Sequence, residues 1–182
     1  MRLNPNSVVL LPYALVHDSW TLSDGVLKDI YDKCEDEGTL RTVFYEGRIQ
    51  NVDQFIAMMK SPVNIPVFVF RGYVPIGFAW LNGCSGHHAF GHFCFMQASW
   101  GKDSKEAAAL ILHYWMAFAR SDGAPMFDVI LGTVPSFNTR AIEFVQKIGF
   151  VKVGEIPLMI RRFSGERDDA VIFYYSRFGD HG

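Results

Sequence analysis

The sequence predicts an α/β fold of the α+β mixed-sheet kind, one domain over residues 1–182 with a central mixed sheet and helices on both faces. Three observations carry that expectation. Segments with the apolar period of a helix alternate with short β-branched and aromatic runs, in the order strand, two helices, three strands, helix, strand, helix, two strands. Residues 89–134 read as strand, long helix, strand, a crossover that makes the two strands parallel neighbours. The 182 residues are 49% apolar and include sixteen Phe, enough for a full core.

The apolar run 8–16 follows a single Arg2, contains Pro12 and lacks a small-residue cleavage pattern, so it is read as a strand rather than a signal peptide. Val26, Leu27, Ile30, Tyr31 and Cys34 share one helix face over 24–37, with Thr21 or Ser23 as cap. A helix over Val52–Lys60 starts from Asn51, with Gln54 three residues on as a variant capping box, and stops before Pro62. Strands at 67–70, 76–81 and 89–96, joined by short glycine-containing turns, read as an antiparallel meander. The stretch 104–120 is too long and too rich in Ala, Leu and Met for a strand and becomes the central helix. A short apolar strand at 128–134 precedes a helix over 138–148 that ends at Gly149, and strands at 150–156 and 170–176 flank the polar loop 164–169.

Seventeen Lys+Arg against nineteen Asp+Glu give a formal charge of −2, too balanced for a polyanion surface, so no nucleic-acid partner is expected. Cys34, Cys84 and Cys94 are odd in number and lack C-x-x-C spacing, which suits reduced thiols in a cytoplasmic protein. The longest apolar stretch outside the N-terminal run, 107–119, is interrupted by His113 and is too short for a membrane span. His88, His92 and Cys94 share a strand face but spread over roughly 20 Å at about 3.3 Å per residue, too far to hold one metal ion. Trp100, Tyr114, Trp115 and Phe118 stand at helical spacing, which favours core packing over a stacking platform.

The loop 97–103 leads from the third meander strand to the central helix, whose open N–H groups and partial positive charge suit a phosphate. Gly101 permits close backbone approach, Ser104 can cap, and Lys102 and Lys105 add charge. Taken alone, an ordinary capped helix after a turn explains the same residues.

The second half adds a family likeness. Pro135-Ser136-Phe137-Asn138-Thr139-Arg140-Ala141, then Phe144-Val145-Gln146-Lys147-Ile148-Gly149-Phe150, resembles the C-terminal signature of the GNAT superfamily of acyl-CoA-dependent N-acyltransferases. In that pattern an Asn opens the helix, an Ala lies three residues on, and a Gly-Phe pair follows eleven and twelve residues on; Asn138, Ala141, Gly149 and Phe150 fit it. Pro75-Ile76-Gly77-Phe78-Ala79 looks like a strand of the same family. The likeness covers residues 67–176, leaving 1–66 as the acceptor side. The family loop usually reads Q/R-x-x-G-x-G/A, whereas this chain has Gln97-Ala98-Ser99-Trp100-Gly101-Lys102 with one glycine, a looser form that resembles phage-encoded members.

The resemblance implies an N-acetyltransferase that moves an acetyl or other acyl group from acetyl-CoA to an amine, on a small molecule or a protein, by direct attack. Phe95, Gln97, Gly101, Lys102, Asp103, Ser104, Lys105 and Asn138 would bind the co-substrate, and N–H groups near 95–97 would polarise the thioester carbonyl. The tyrosine that many members place seven residues after the Asn is Val145 here. Ser136 and Tyr114 are substitute proton donors by position. His92, on the strand leading into the loop, is the best-placed titratable group for taking the amine's proton, although a half-buried strand histidine satisfied by the backbone is the more ordinary account of it. A homodimer, a non-catalytic acyl-CoA-binding protein and a phage structural or assembly protein are the alternatives left open.

Overall fold

The protein is described by a computed structural model over residues 7–179. Strands β1 (Val8–Pro12), β4 (Ile65–Arg71), β5 (Val74–Ser85), β6 (His88–Phe95), β7 (Val129–Pro135), β8 (Val151–Arg161) and β9 (Arg167–Ser176) form one sheet in the order β1-β4-β5-β6-β7-β9-β8. A two-strand ribbon, β2 (Leu15–Val16) and β3 (Ser19–Trp20), stands apart. Helices α1 (Asp24–Asp36), α2 (Thr39–Val43) and α3 (Val52–Lys60) lie on one face, called the front. Helices α4 (Lys102–Met116) and α5 (Thr139–Lys147) lie on the back.

Period-2 alternation along the central strands sorts the core into these two layers. Phe68, Phe78, Trp80 and Cys94 face the front with Leu27, Ile30 and Phe55 of α1 and α3. Val67, Val69, Ala79 and Leu81 face the back with Ile111 and Trp115 of α4. The mixed sheet, the antiparallel meander β4-β5-β6 and the parallel pairing of β6 with β7 all match the expectation from sequence. Gly77 makes the meander tight, because a Cβ there would come within 2.5 Å of the Cys94 carbonyl oxygen.

Local signals set the ends of elements. Ser23, not Thr21, caps α1 by accepting the Val26 N–H at 3.4 Å. Asn51 Oδ1 accepts the Gln54 N–H at 2.9 Å, while Gln54 Oε1 reaches back to the Gln50 N–H at 2.8 Å, one residue before the cap.

Several boundaries differ from the sequence reading. The strand expected over 8–16 stops at Pro12, and Tyr13 donates to Pro66 O before His17 and Asp18, both at positive φ, reverse the chain in a tight ribbon. Helix α4 runs from Lys102 to Met116 rather than over 104–120, because residues 117–128 turn back on themselves through a bridge between Ala119 and Pro125. Helix α2 was not foreseen, since five residues after a left-handed Gly38 are too few to show a period. Strand β8 extends to Arg161 through two irregularities, one of them containing Leu158 at positive φ.

The feature that positions the site is the seam between β6 and β7. Their parallel pairing runs only from His88↔Val129 to Phe90↔Leu131, although both strands continue past it. Behind the unpaired part, Phe93, Phe95, Phe144 and Phe150 interlock, with ring centroids 5.6–6.3 Å apart. Rings of that bulk keep the strands from closing, and the sheet splays.

Candidate active-site cleft

Strand β6 presents two different backbone edges. The Met96 N–H donates to Ile76 O at 3.0 Å, so even-numbered amides of this stretch turn toward β5. The N–H groups of Phe93 and Phe95 therefore face the gap, beyond the end of the β7 ladder. Phe95 O is tied by the Trp100 indole Nε1–H at 2.9 Å, which fixes the strand's last peptide.

Past β6 the chain makes a 3-10 turn over Gln97–Ser99 and enters α4 at Gly101. Ser99 is buried, and its hydroxyl bonds Ile76 O at 2.9 Å and Met96 O at 2.7 Å, pinning the turn to β5. Gly101 sits at φ 103, a conformation that L side chains rarely adopt, and has no side chain to cap the helix. Ser104 is the third helical residue rather than the cap, and its Oγ accepts the Gly101 N–H at 3.2 Å. The first-turn N–H groups of α4 are left pointing out of the helix start.

The gap opens into a cleft of about 230 Å³ floored by Phe93, Cys94 and Phe95 and walled by Gly101, Ser104 and Lys105 on one side and Asn138, Ala141 and Phe144 on the other. An outer recess of about 530 Å³ continues from it past Gln97, Glu37 and Phe137. Thr39 and Thr42 of α2, with Trp100, Asn138, Arg140 and Glu143, border both.

Of the residues expected to bind the co-substrate, Phe95, Gln97, Gly101, Ser104, Lys105 and Asn138 meet at this cleft. Asn138 also caps α5, its Oδ1 accepting the Ala141 N–H at 3.1 Å, and Gly149 closes that helix as expected. Lys102 is exposed at the helix start and does not line the cleft. Asp103 turns to Arg71, with two contacts of 2.9 Å. The Gln97 N–H donates to Glu37 Oε2 at 2.6 Å and its Nε2 to Glu37 O at 2.7 Å, tying the loop to the end of α1.

The proton-transfer candidates lie elsewhere. His92 stacks on Trp80, with centroids 4.5 Å apart, on the front face of β6 beside the gap. Its Nε2–H donates to Asn82 Oδ1 at 3.1 Å, and burial pushes its pKa down to about 4. The imidazole is neutral at pH 7 and weakly basic. Ser136 lies in the loop after β7 and lines neither part of the cleft. Tyr114 packs edge-on against Phe118, away from the cleft, with burial raising its pKa. Val145 faces the back core, whereas Phe144 faces the cleft.

Sequence reasoning placed Trp100 among the core aromatics, and the structure corrects that. The helix starts at Lys102, so Trp100 belongs to the loop, 40% exposed, with the Arg140 guanidinium 4.1 Å above its ring. Thr39, Thr42 and Glu37 were not anticipated at the cleft, because their placement depends on α2 and on loop closure. Among the described residues no group of three His, Cys, Asp or Glu comes together to hold a metal ion, and no helix is long and apolar enough to cross a membrane.

No family model and no curated protein matches this sequence. Solved structures do match its backbone. The spermidine N-acetyltransferase from Vibrio cholerae in complex with CoA and spermine superposes with a TM-score of 0.72 at 15% identity, over 96% of this chain and 98% of that one. This is the GNAT acetyltransferase fold. The ribosomal-protein-S5-alanine acetyltransferase from Vibrio fischeri superposes with a TM-score of 0.64 at 13% identity, over 85% of this chain and 90% of that one.

Proposed function

We propose that the protein is an N-acetyltransferase that takes an acetyl group from acetyl-CoA and passes it to an amine. The observation that carries this reading is the junction of a splayed parallel seam with the open start of a long helix: unpaired backbone amides lead straight to an anion-binding helix end. The Vibrio cholerae neighbour, which holds CoA and spermine, supports both the co-substrate and an amine as acceptor. The three free thiols suit a cytoplasmic setting.

The residues present fit an acyl-CoA. The first-turn N–H groups of α4, with Lys105, Arg140 and Lys147 around the cleft, would hold the phosphates, and Asn138 has its amide N–H₂ left for the ligand after Oδ1 caps α5. The outward amides of Phe93 and Phe95 line the path along β6, and the Phe95 N–H is placed to steady negative charge developing on a carbonyl oxygen. When bound, the co-substrate supplies an activated thioester. Cleft walls of Phe93, Phe95 and Phe144 exclude water from that group.

An attacking amine must be neutral, and His92 at a pKa near 4 accepts a hydrogen bond better than a proton at pH 7. It lines neither part of the cleft, and the amine's proton leaves to solvent through the outer recess. Of the proton donors suggested by sequence position, Ser136 and Tyr114 lie away from the cleft, and Val145 has no proton to give. A thiol with an ordinary pKa of about 8.5 can leave as the thiolate, at some cost in rate. The same missing acid favours a second reading, an acyl-CoA-binding protein without turnover.

Calorimetric titration with acetyl-CoA tests the reading on the wild type and on Gly101→Glu, which puts a carboxylate at the helix start. The wild type binds and the variant does not; equal affinities would refute the phosphate placement. Thiol release in the presence of a panel of amines, spermine included, separates the enzyme from the binding protein.

A further inference from the structure

The proposed anion site contains an apparent contradiction. Asp103 stands in the first turn of α4 and Glu106 follows one turn on, so two carboxylates sit beside N–H groups that are to receive phosphates. With Lys102 and Lys105 the side-chain charge of these two turns cancels to zero.

Arg71, the last residue of β4, resolves it. Its Nε donates to Asp103 Oδ2 and its Nη2 to Asp103 Oδ1, both at 2.9 Å, the two-pronged geometry of a strong guanidinium–carboxylate pair. The same Nη2 reaches Glu106 Oε2 at 3.1 Å. The three side chains are 26%, 33% and 45% exposed, so the cluster is partly shielded from water. One cation thus holds both carboxylates, draws Asp103 away from the helix start and leaves the first two turns with a net charge of +1.

We propose that Arg71 is a positioning residue for the co-substrate: it neutralises Asp103 and Glu106 so that the start of α4 attracts phosphate. The proposal rests on the acyl-CoA reading above. It differs from a plain structural tie between β4 and α4 in one respect. A tie is broken equally from either end, whereas a neutralising cation is needed only while the carboxylates are present.

The test is CoA binding by calorimetry at low and moderate salt, on wild type, Arg71→Gln, Asp103→Asn and the double variant. Arg71→Gln weakens binding about five- to twentyfold, with a steeper loss at low salt. Asp103→Asn binds about two- to fivefold more tightly, because one negative charge is removed from the first turn of α4. The double variant returns to within about threefold of wild type. Arg71→Lys keeps the charge and stays near wild type, which covers the case in which Arg71→Gln folds poorly. If Asp103→Asn weakens binding as much as Arg71→Gln, and the double variant does not recover, Arg71 is only a tie and the proposal is overturned. A wild type that binds CoA together with an unaffected Arg71→Gln also overturns it alone. A wild type with no affinity for CoA removes both the proposal and the acyl-CoA reading.

Discussion

Acid should weaken this protein through His92 before its carboxylates are protonated. The histidine ionises near its ordinary 6.5 in the unfolded chain and near 4 in the folded protein, where Trp80 covers the ring and Asn82 holds Nε2–H. As pH falls, the unfolded chain takes the proton first. The stability that neutral His92 contributes is therefore complete above 6.5 and is lost as pH falls toward 4. Two and a half pH intervals at about 1.4 kcal/mol each bound the loss at about 3.5 kcal/mol. Between pH 7 and pH 5 the expected share is about 2 kcal/mol. Urea unfolding of wild type and His92→Gln at both pH values isolates it, because carboxylate titration is common to the two proteins and cancels in the difference. Wild type should lose about 2 kcal/mol more than the variant over that interval. Equal losses would mean that His92 ionises normally in the folded state, and the argument that it is too weak a base for proton abstraction would go with it.

Two further outcomes follow from geometry. Gly77→Ala forces a Cβ to 2.5 Å from the Cys94 carbonyl oxygen, which neither backbone can yield cheaply, so thermal melts should show a loss of about 2 kcal/mol or more. Trp100 borders both parts of the cleft and is the only tryptophan among the described residues to do so, since Trp80 and Trp115 are buried in the core and Trp20 stacks on Tyr13. Acetyl-CoA should therefore alter the intrinsic fluorescence of the wild type and leave that of Trp100→Phe unchanged, with binding by the variant checked by calorimetry.

What was legible in the sequence follows from the range of the forces involved. Helices α1, α3 and α5 could be read because each declares a cap and an apolar face within its own residues, as Ser23, Asn51 and Asn138 do. The crossover that makes β6 and β7 parallel was equally legible, since a long helix between two strands leaves little choice. Helix α2 and the cleft residues it supplies, Thr39 and Thr42, were not, because a single turn carries no period. Trp100 was misplaced because helical spacing looks the same whether or not the helix has begun, and only the backbone conformation at Gly101 draws that line. The environment of His92 was invisible for a different reason. Its pKa is lowered by burial, which depends on neighbours such as Trp80 brought beside it by strand register rather than by proximity in the chain.

The short seam between β6 and β7 also bears on how far such a sequence can drift. Where the ladder stops at Phe90↔Leu131, the groups on offer along the gap are peptide N–H and C=O, which every residue except proline possesses in full. A ligand that completes the sheet there is recognised by the main chain, and substitutions along the strand leave that recognition in place so long as the rings behind still hold the strands apart. Selection on such a surface acts on shape more than on side-chain identity. The backbone agrees with that of the Vibrio cholerae enzyme over 96% of this chain, while only 15% of the residues are shared.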